Sequence, residues 1–288
     1  MTKALYIFCF ALLFGGLLYH FAALKVFNFL VPKDAGSEQI ARSISYGVDE
    51  RQRLDIYRPT QTVAALPVLI FVHGGSWKDG EGHDYEFAGR AFAAQGYLTL
   101  VISYRLLPQH AYPDFVEDVA MATAWANRHA SEFGGDGHRI FLVGHSAGAY
   151  NIALAVLDAH YMNDAGVEPS TIKGVATLAG PFDFVPLDSP ATIATFGQVK
   201  DLAATQPINF ARADVPPFLL LHGTPDTTVK PRNSRSLLKH LQDAGAQGKL
   251  IEYQDVSHVG IMLDIAKPLR GNAPVLADIV EFFKDIAK

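Results

Sequence analysis

The chain has 288 residues, a formal net charge of −5 and 49% hydrophobic residues, enough apolar content to cover both faces of a sheet in one large α/β domain. Acidic and basic residues are interspersed, which argues against a nucleic-acid surface, and a single cysteine, Cys9, allows no internal disulfide. There is no C-x-x-C, no His/Cys cluster at zinc spacing and no G-x-x-x-x-G-K phosphate loop, so neither a metal nor a cofactor is implied.

In chain order, the first feature is apolar. Residues 4–19, ALYIFCFALLFGGLLY, carry no charge, and apolar character resumes after His20 as far as Val31, broken by Lys25 and Asn28. The charge-free run is shorter than the roughly 20 residues that span a bilayer. It reaches that length through Leu24 if His20 sits near the interface. An uncleaved anchor competes with a secretory signal peptide. A buried core helix is the third alternative, disfavoured by the aromatic and leucine content ahead of the polar stretch Pro32 to Arg42. No small-x-small cleavage site follows the run, since Phe21-Ala22-Ala23 fails at its first position, and this favours the anchor. The expectation is a membrane anchor over 1–30, a linker over 31–42 and a catalytic domain over 43–288. The domain would then sit at a membrane on the periplasmic or extracytoplasmic side, or be secreted if the segment is cleaved. Lys3 and the terminal amine oppose Lys25 and Lys33 across the span, leaving the orientation open. The sequence does not fix an oligomeric state.

Beyond residue 42 the chain alternates between two periods. Strands are predicted at 43–46, 54–58, 68–72, 97–103, 140–143, 175–178, 218–221 and 250–254. VLIFV, LTLVIS, IFLV and FLLL are continuous apolar runs, as expected of parallel strands buried on both faces. Helical stripes fall on Val116, Val119, Ala120 and Ala124, on Leu237, Leu238 and Leu241, and on Val275, Leu276, Ile279, Val280 and Phe283. This alternation predicts an eight-stranded, mostly parallel sheet with helices on both faces. Residues 180–215 form a long connection with a weakly helical piece near 193–204, read either as a wall or small cap over a site or as an ordinary crossover.

The strand at 140–143 runs into Gly144-His145-Ser146-Ala147-Gly148 and then an apolar helix at 149–158. G-x-S-x-G alone is weak and also describes a serine that caps a helix. Strand, tight turn and helix together form the context of a nucleophile elbow. Serine needs a base, and the base an orienter. Among the downstream histidines, His160 and His240 fall on helical patterns and His222 reads as a turn residue. His258, in DVSHVG after the last strand, is placed for a base. Asp226, in HGTPDTTV, is the favoured acid, with Asp183 in AGPFDF as the alternative. The strand at 68–72 ends in His73-Gly74-Gly75-Ser76-Trp77, where glycines let backbone N–H groups turn toward an oxyanion, with the N–H of Ala147 completing the hole.

HGGSW, GHSAG, HGTPDTTV and SHVG, in that order, resemble the α/β-hydrolase superfamily. The nearer resemblance is to carboxylesterases related to hormone-sensitive lipase, kynurenine formamidase and the feruloyl and acetylxylan esterases. It extends from about Phe27 to the C-terminus. It implies an α/β-hydrolase fold with a small cap or none, and a triad of Ser146, Asp226 and His258. Gly74, Gly75, Ser76 and Ala147 would form the oxyanion region, and the substrate would be a small ester. A formamidase would use the same triad, and a membrane-anchored binding module would be expected to have lost one of its members. Where many relatives carry a third glycine this chain has Ser76, which implies a stiffer loop that excludes bulky tertiary esters.

Overall fold

The apolar runs become the middle of one sheet. The computed structural model describes residues 17–61 and 65–287. Its strands are β1 (Ser37–Ser45), β2 (Arg53–Pro59), β3 (Leu66–Val72), β4 (Leu98–Ile102), β5 (Gly135–His145), β6 (Ile172–Leu178), β7 (Phe218–Gly223) and β8 (Gly248–Tyr253). They lie in the order β1-β2-β4-β3-β5-β6-β7-β8. β2 pairs antiparallel with both β1 and β4, and the remaining pairs are parallel. The parallel strands therefore all end at one edge, and the loops after β3, β5, β7 and β8 emerge there.

The helices are α1 (Leu17–Leu30), α2 (Glu86–Ala93), α3 (Asp114–His129), α4 (Ala147–Leu157), α5 (Ala159–Asp164), α6 (Pro190–Phe196), α7 (Arg232–Asp243), α8 (Gly260–Leu263) and α9 (Val275–Ile286). Alternation along each strand feeds two cores. Val68, Ile70 and Val72 pack with Phe115 of α3, Leu154 of α4 and Leu237 of α7. Leu69 and Phe71, pointing the other way, pack with Phe92 of α2 and Val275 and Phe283 of α9. Helices thus cover both faces, as the unbroken apolar strands require.

The N-terminal boundary differs from the sequence expectation. β1 begins at Ser37, inside the stretch expected as linker, and Asp34 takes a two-pronged ion pair from Arg270 at 2.8 Å for each oxygen. Ahead of it, α1 lies on the domain, burying Leu24, Phe27 and Val31 in the α2/α9 core. Phe27 meets Phe87 edge to face at 5.4 Å. The Asn28 side chain accepts from Phe87 N–H at 3.1 Å and donates to the His83 carbonyl at 3.0 Å. The other face of α1 exposes Val26, Phe29 and Leu30. Among the described residues no helix is long and apolar enough to cross a membrane. Residues 1–16, most of the expected anchor, lie outside the described residues.

Candidate active site

Ser146 sits in the turn between β5 and α4 with φ 53° and ψ −119°, a left-handed conformation that costs a serine of order 1–3 kcal/mol. Crowding around the turn explains its small residues. A Cβ on Gly148 would lie 2.2 Å from the Val72 carbonyl oxygen and 2.4 Å from that of His73. The Ser146 N–H donates to the Leu178 carbonyl at 2.9 Å, so the strained turn is held by the end of β6. The serine is also the first residue of the α4 cap, at the positive end of that helix.

Three loops converge on it. His258, in the loop after β8, places Nε2 2.9 Å from Ser146 Oγ and Nδ1 2.7 Å from Asp226 Oδ2. A carboxylate only accepts, so Nδ1 carries the proton and Nε2 is free to accept from the serine hydroxyl. Asp226, in the loop after β7, accepts at its other oxygen from the N–H groups of Thr228 at 2.9 Å and Val229 at 3.0 Å. Burial opposes its charge. Hydrogen bonds from His222 and His258, the nearby His258 charge and the Val229 N–H outweigh that cost, holding its carboxyl well below the usual carboxylate range.

The loop after β3 forms the other side. A Cβ on Gly74 would lie 3.1 Å from that of Ser146, so the glycine backbone rests against the nucleophile turn. Gly75 has φ +133°, and Ser76 and Trp77 follow at 53° and 59°. The N–H groups of Lys78 and Asp79 both donate to the Gly75 carbonyl at 3.1 Å, locking the turn. Ser76 holds the left-handed conformation with a side chain in place, where a glycine would hold it without strain. Beneath the loop, His73 is stacked 4.4 Å from Tyr104 and hydrogen-bonded through Nδ1 to the Gly74 carbonyl at 2.6 Å. Burial pushes its pKa down to about 4.

A cavity of about 250 Å³ opens above Ser146, bounded by Ser76, Trp77 and Ala147, by Pro181, Phe184 and Thr192, and by Thr227 to Asn233. The long connection supplies one wall. It holds α6 and two short 3₁₀ turns, Leu202–Thr205 and Pro207–Phe210, in place of the helix expected near 193–204. Phe196 packs 5.0 Å from Trp77 and 5.1 Å from Phe184, and Trp77 Nε1 donates to Asn151 Oδ1 at 2.9 Å. The side-chain Oδ1 of Asn233 receives the N–H groups of Phe182 and Asp183, both at 2.9 Å. The connection is therefore a fixed small wall.

The remaining candidates fall outside the constellation. Asp183 Oδ2 accepts from Ser236 Oγ at 2.6 Å. His160 is exposed and bonded to Asp158, and His240 reaches the Ser236 carbonyl. Two other histidines belong to the site although the sequence reading gave them no part in it. His145 Nε2 donates to the His258 carbonyl at 2.9 Å, joining the nucleophile turn to the base's loop. Burial, then the nearby His258 charge, pushes its pKa down to about 3. His222, fully buried, touches Asp226 from below at 3.3 Å. Its position in the same H-G-x-x-D turn as the acid was the available signal. Among the described residues no cluster of metal-ligating side chains occurs.

Residues 54–241 match the model of the BD-FAE family. The chain belongs to the BD-FAE family. This BD-FAE member is 32% identical over 251 residues to the esterase LipC of Mycobacterium tuberculosis, covering 78% of this chain and 61% of LipC. It is 29% identical over 303 residues to an isoprenylcysteine alpha-carbonyl methylesterase of Arabidopsis thaliana, covering 96% of this chain and 67% of the plant protein. The chain spans 56% to 67% of the length of the plant relatives it matches. Among solved structures, esterase B from Lactobacillus rhamnosis superposes with a TM-score of 0.81 at 20% identity, over 93% of this chain and 92% of that one. A carbohydrate esterase from gut microbiota gives 0.77 at 21% identity, over 89% of this chain and 99% of that one. At these identities the likeness is one of fold, and the fold is that of the α/β-hydrolases.

Proposed function

We propose that this BD-FAE protein is a serine carboxylesterase that hydrolyses small esters through an acyl-enzyme. The observation that carries the proposal is the chain of contacts from Ser146 Oγ to His258 Nε2 and from His258 Nδ1 to Asp226 Oδ2, at 2.9 and 2.7 Å, on the floor of a cavity. Ser146 Oγ attacks the ester carbonyl carbon while its proton passes to His258 Nε2. The carbonyl oxygen becomes an oxyanion, held by backbone N–H groups of the Gly74–Gly75–Ser76 loop and of Ala147. Collapse returns the proton from His258 to the departing alkoxide and leaves Ser146 acylated. Water, deprotonated by the same nitrogen, then releases the acid and regenerates the serine. The role of Asp226 is to hold the His258 tautomer and to stabilise the imidazolium between these steps.

A cavity of about 250 Å³ is smaller than most ligand pockets, which run from roughly 300 to 1,000 Å³, and this supports short acyl or alcohol groups. A panel of p-nitrophenyl esters from acetate to decanoate, run beside N-formyl-kynurenine, tests the proposal. Turnover greatest on the short esters and abolished in Ser146→Ala is the expected result. Preferential turnover of N-formyl-kynurenine would move the assignment to a formamidase with the same triad, and no turnover would leave a binding module.

We also propose that the charge-free segment 4–19 attaches the enzyme to a membrane, with the catalytic domain on the extracytoplasmic side. The composition of the segment supports the attachment, as do the exposed Val26, Phe29 and Leu30 of α1, which lie beside the exposed Lys25.

A further inference from the structure

The lining of the cavity carries charge as well as Trp77 and Phe184. Lys230 and Arg232 both line it, and among the described residues neither side chain has an ion-pair or hydrogen-bond partner. Asp188 is the acidic side chain on the cavity lining, and it pairs with neither. Arg235, one turn further along α7, is neutralised by Glu252 at 2.8 Å. The two open cations are thus the ones that face the space above Ser146.

Their position also runs against helix electrostatics. They flank Pro231, the N-cap of α7, with Arg232 the first residue of the helix, and its first turn holds no acidic residue. The start of a helix is its positive end, where a carboxylate stabilises and a cation destabilises. Two unpaired cations there outnumber the Asp188 carboxylate on the lining, and the field of the helix adds to theirs. A guanidinium matches a carboxylate in shape, and an ammonium supplies a second donor from a flexible stem.

We infer that the site selects esters bearing an anionic group, a carboxylate on the acyl or the alcohol portion, seated against Lys230 and Arg232 while the apolar part lies along Trp77 and Phe184. The inference rests on the reading of Ser146 as the nucleophile and adds a substrate class to it. Exposed cations act through water, so each contributes a few-fold, and the effect weakens with salt.

The test uses two matched pairs of substrates with the full-length protein. Monomethyl adipate against methyl hexanoate, read by methanol release, places the carboxylate on the acyl side. 4-Acetoxybenzoate against phenyl acetate places it on the leaving alcohol. The readout is the ratio of kcat/KM, anionic over neutral, for wild type, Lys230→Gln, Arg232→Gln and the double variant. In at least one pair the ratio is expected to fall about tenfold in the double variant, mainly through KM, and to fall in wild type when salt is raised from 20 to 500 mM, roughly one Debye regime to the next. The neutral members test the esterase reading on their own. If wild type hydrolysed neither neutral ester nor its anionic partner, that reading would fall. If it hydrolysed the neutral esters and both ratios ignored the two side chains and the salt, the inference of an anionic substrate alone would be overturned.

Discussion

His222 Nε2 lies 3.3 Å from Asp226 Oδ2, the same oxygen that receives His258 Nδ1. Nε2 is also 2.8 Å from the Val229 carbonyl, and Nδ1 is 2.8 Å from Ser234 Oγ. A carbonyl only accepts, so Nε2 carries a proton, shared between Val229 and Asp226, while Nδ1 is hydrogen-bonded to Ser234 Oγ. His222 is thereby a fixed donor that positions the carboxylate. His222→Leu is expected to lower kcat about tenfold to a hundredfold with little change in KM. His222→Gln, whose amide nitrogen can occupy the Nε2 position, should recover most of the loss. Relieved of one donor, Asp226 holds the protonated imidazole more strongly, so the acid limb of kcat/KM should move to higher pH in the leucine variant and return in the glutamine variant. An acid limb unmoved in both would make His222 a packing residue.

Ser146→Ala should reduce kcat by about 10³-fold or more while leaving the fold intact, with the remaining rate coming from the oxyanion loop. Asp226→Asn should be nearly as severe, because asparagine can present an N–H where His258 Nδ1–H needs an acceptor. Asp183 is engaged with Ser236, so Asp183→Asn should stay within a few-fold of wild type. Steady-state kinetics of the three variants decide the assignment, and the reverse ranking of the two aspartates would move the acid to Asp183.

The buried histidines give stability a pH dependence of known sign. Burial lowers His73 to about 4 and His145 to about 3, against roughly 6.5 for an unfolded histidine. Between those values the unfolded state binds more protons, so stability is complete above about pH 6.5 and is lost as pH falls toward 4. The slope is at most about 1.4 kcal/mol per pH unit for each histidine. Urea midpoints at pH 7.5, 6 and 5 should decline in wild type and decline less in His145→Gln. Equal declines would mean that His145 does not titrate on unfolding.

Much of the fold was legible because its strands are buried on both faces. VLIFV and FLLL can be little else when turns bound them, and β3 and β7 follow them closely. The first half of β5 was not legible. Gly135 to Arg139 has no apolar run and is strand through backbone pairing with Leu66 and Pro67. β1 was shortened for the same reason, since SEQIAR reads as polar linker until β2 lies beside it. In the site, residue types with one chemical use, the elbow serine and the late aspartate and histidine, could be picked out in order. His145 and His222 could not. Their parts depend on which carbonyl or carboxylate lies across the fold, and no local spacing carries that information.

The N-terminal segment should divide functionally within α1. The run at 4–19 is free of charge, whereas Leu24, Phe27 and Asn28 are built into the domain. Full burial of a leucine or phenylalanine contributes about 1.5–3 kcal/mol each, and each hydrogen bond of Asn28 about 0.5–1.5 kcal/mol. Together they are on the order of 5 kcal/mol, a large share of the roughly 5–15 kcal/mol that holds a domain folded. A chain beginning at residue 21 should therefore be soluble and fully active, while one beginning at residue 30 should be poorly stable or insoluble. The full-length chain should pellet with membranes and resist carbonate extraction, with Met1 or Thr2 found on N-terminal sequencing. A mature start near Leu24 would instead show a cleaved signal peptide, and would leave Leu24, Phe27 and Asn28 in place. Thermal melts of the two truncations separate the contributions. If the chain beginning at residue 30 melted within about 2 °C of the one beginning at residue 21, the packing of α1 would contribute nothing to stability. If the chain beginning at residue 21 still sedimented with membranes, attachment would reside in the Val26, Phe29 and Leu30 face rather than in residues 4–19.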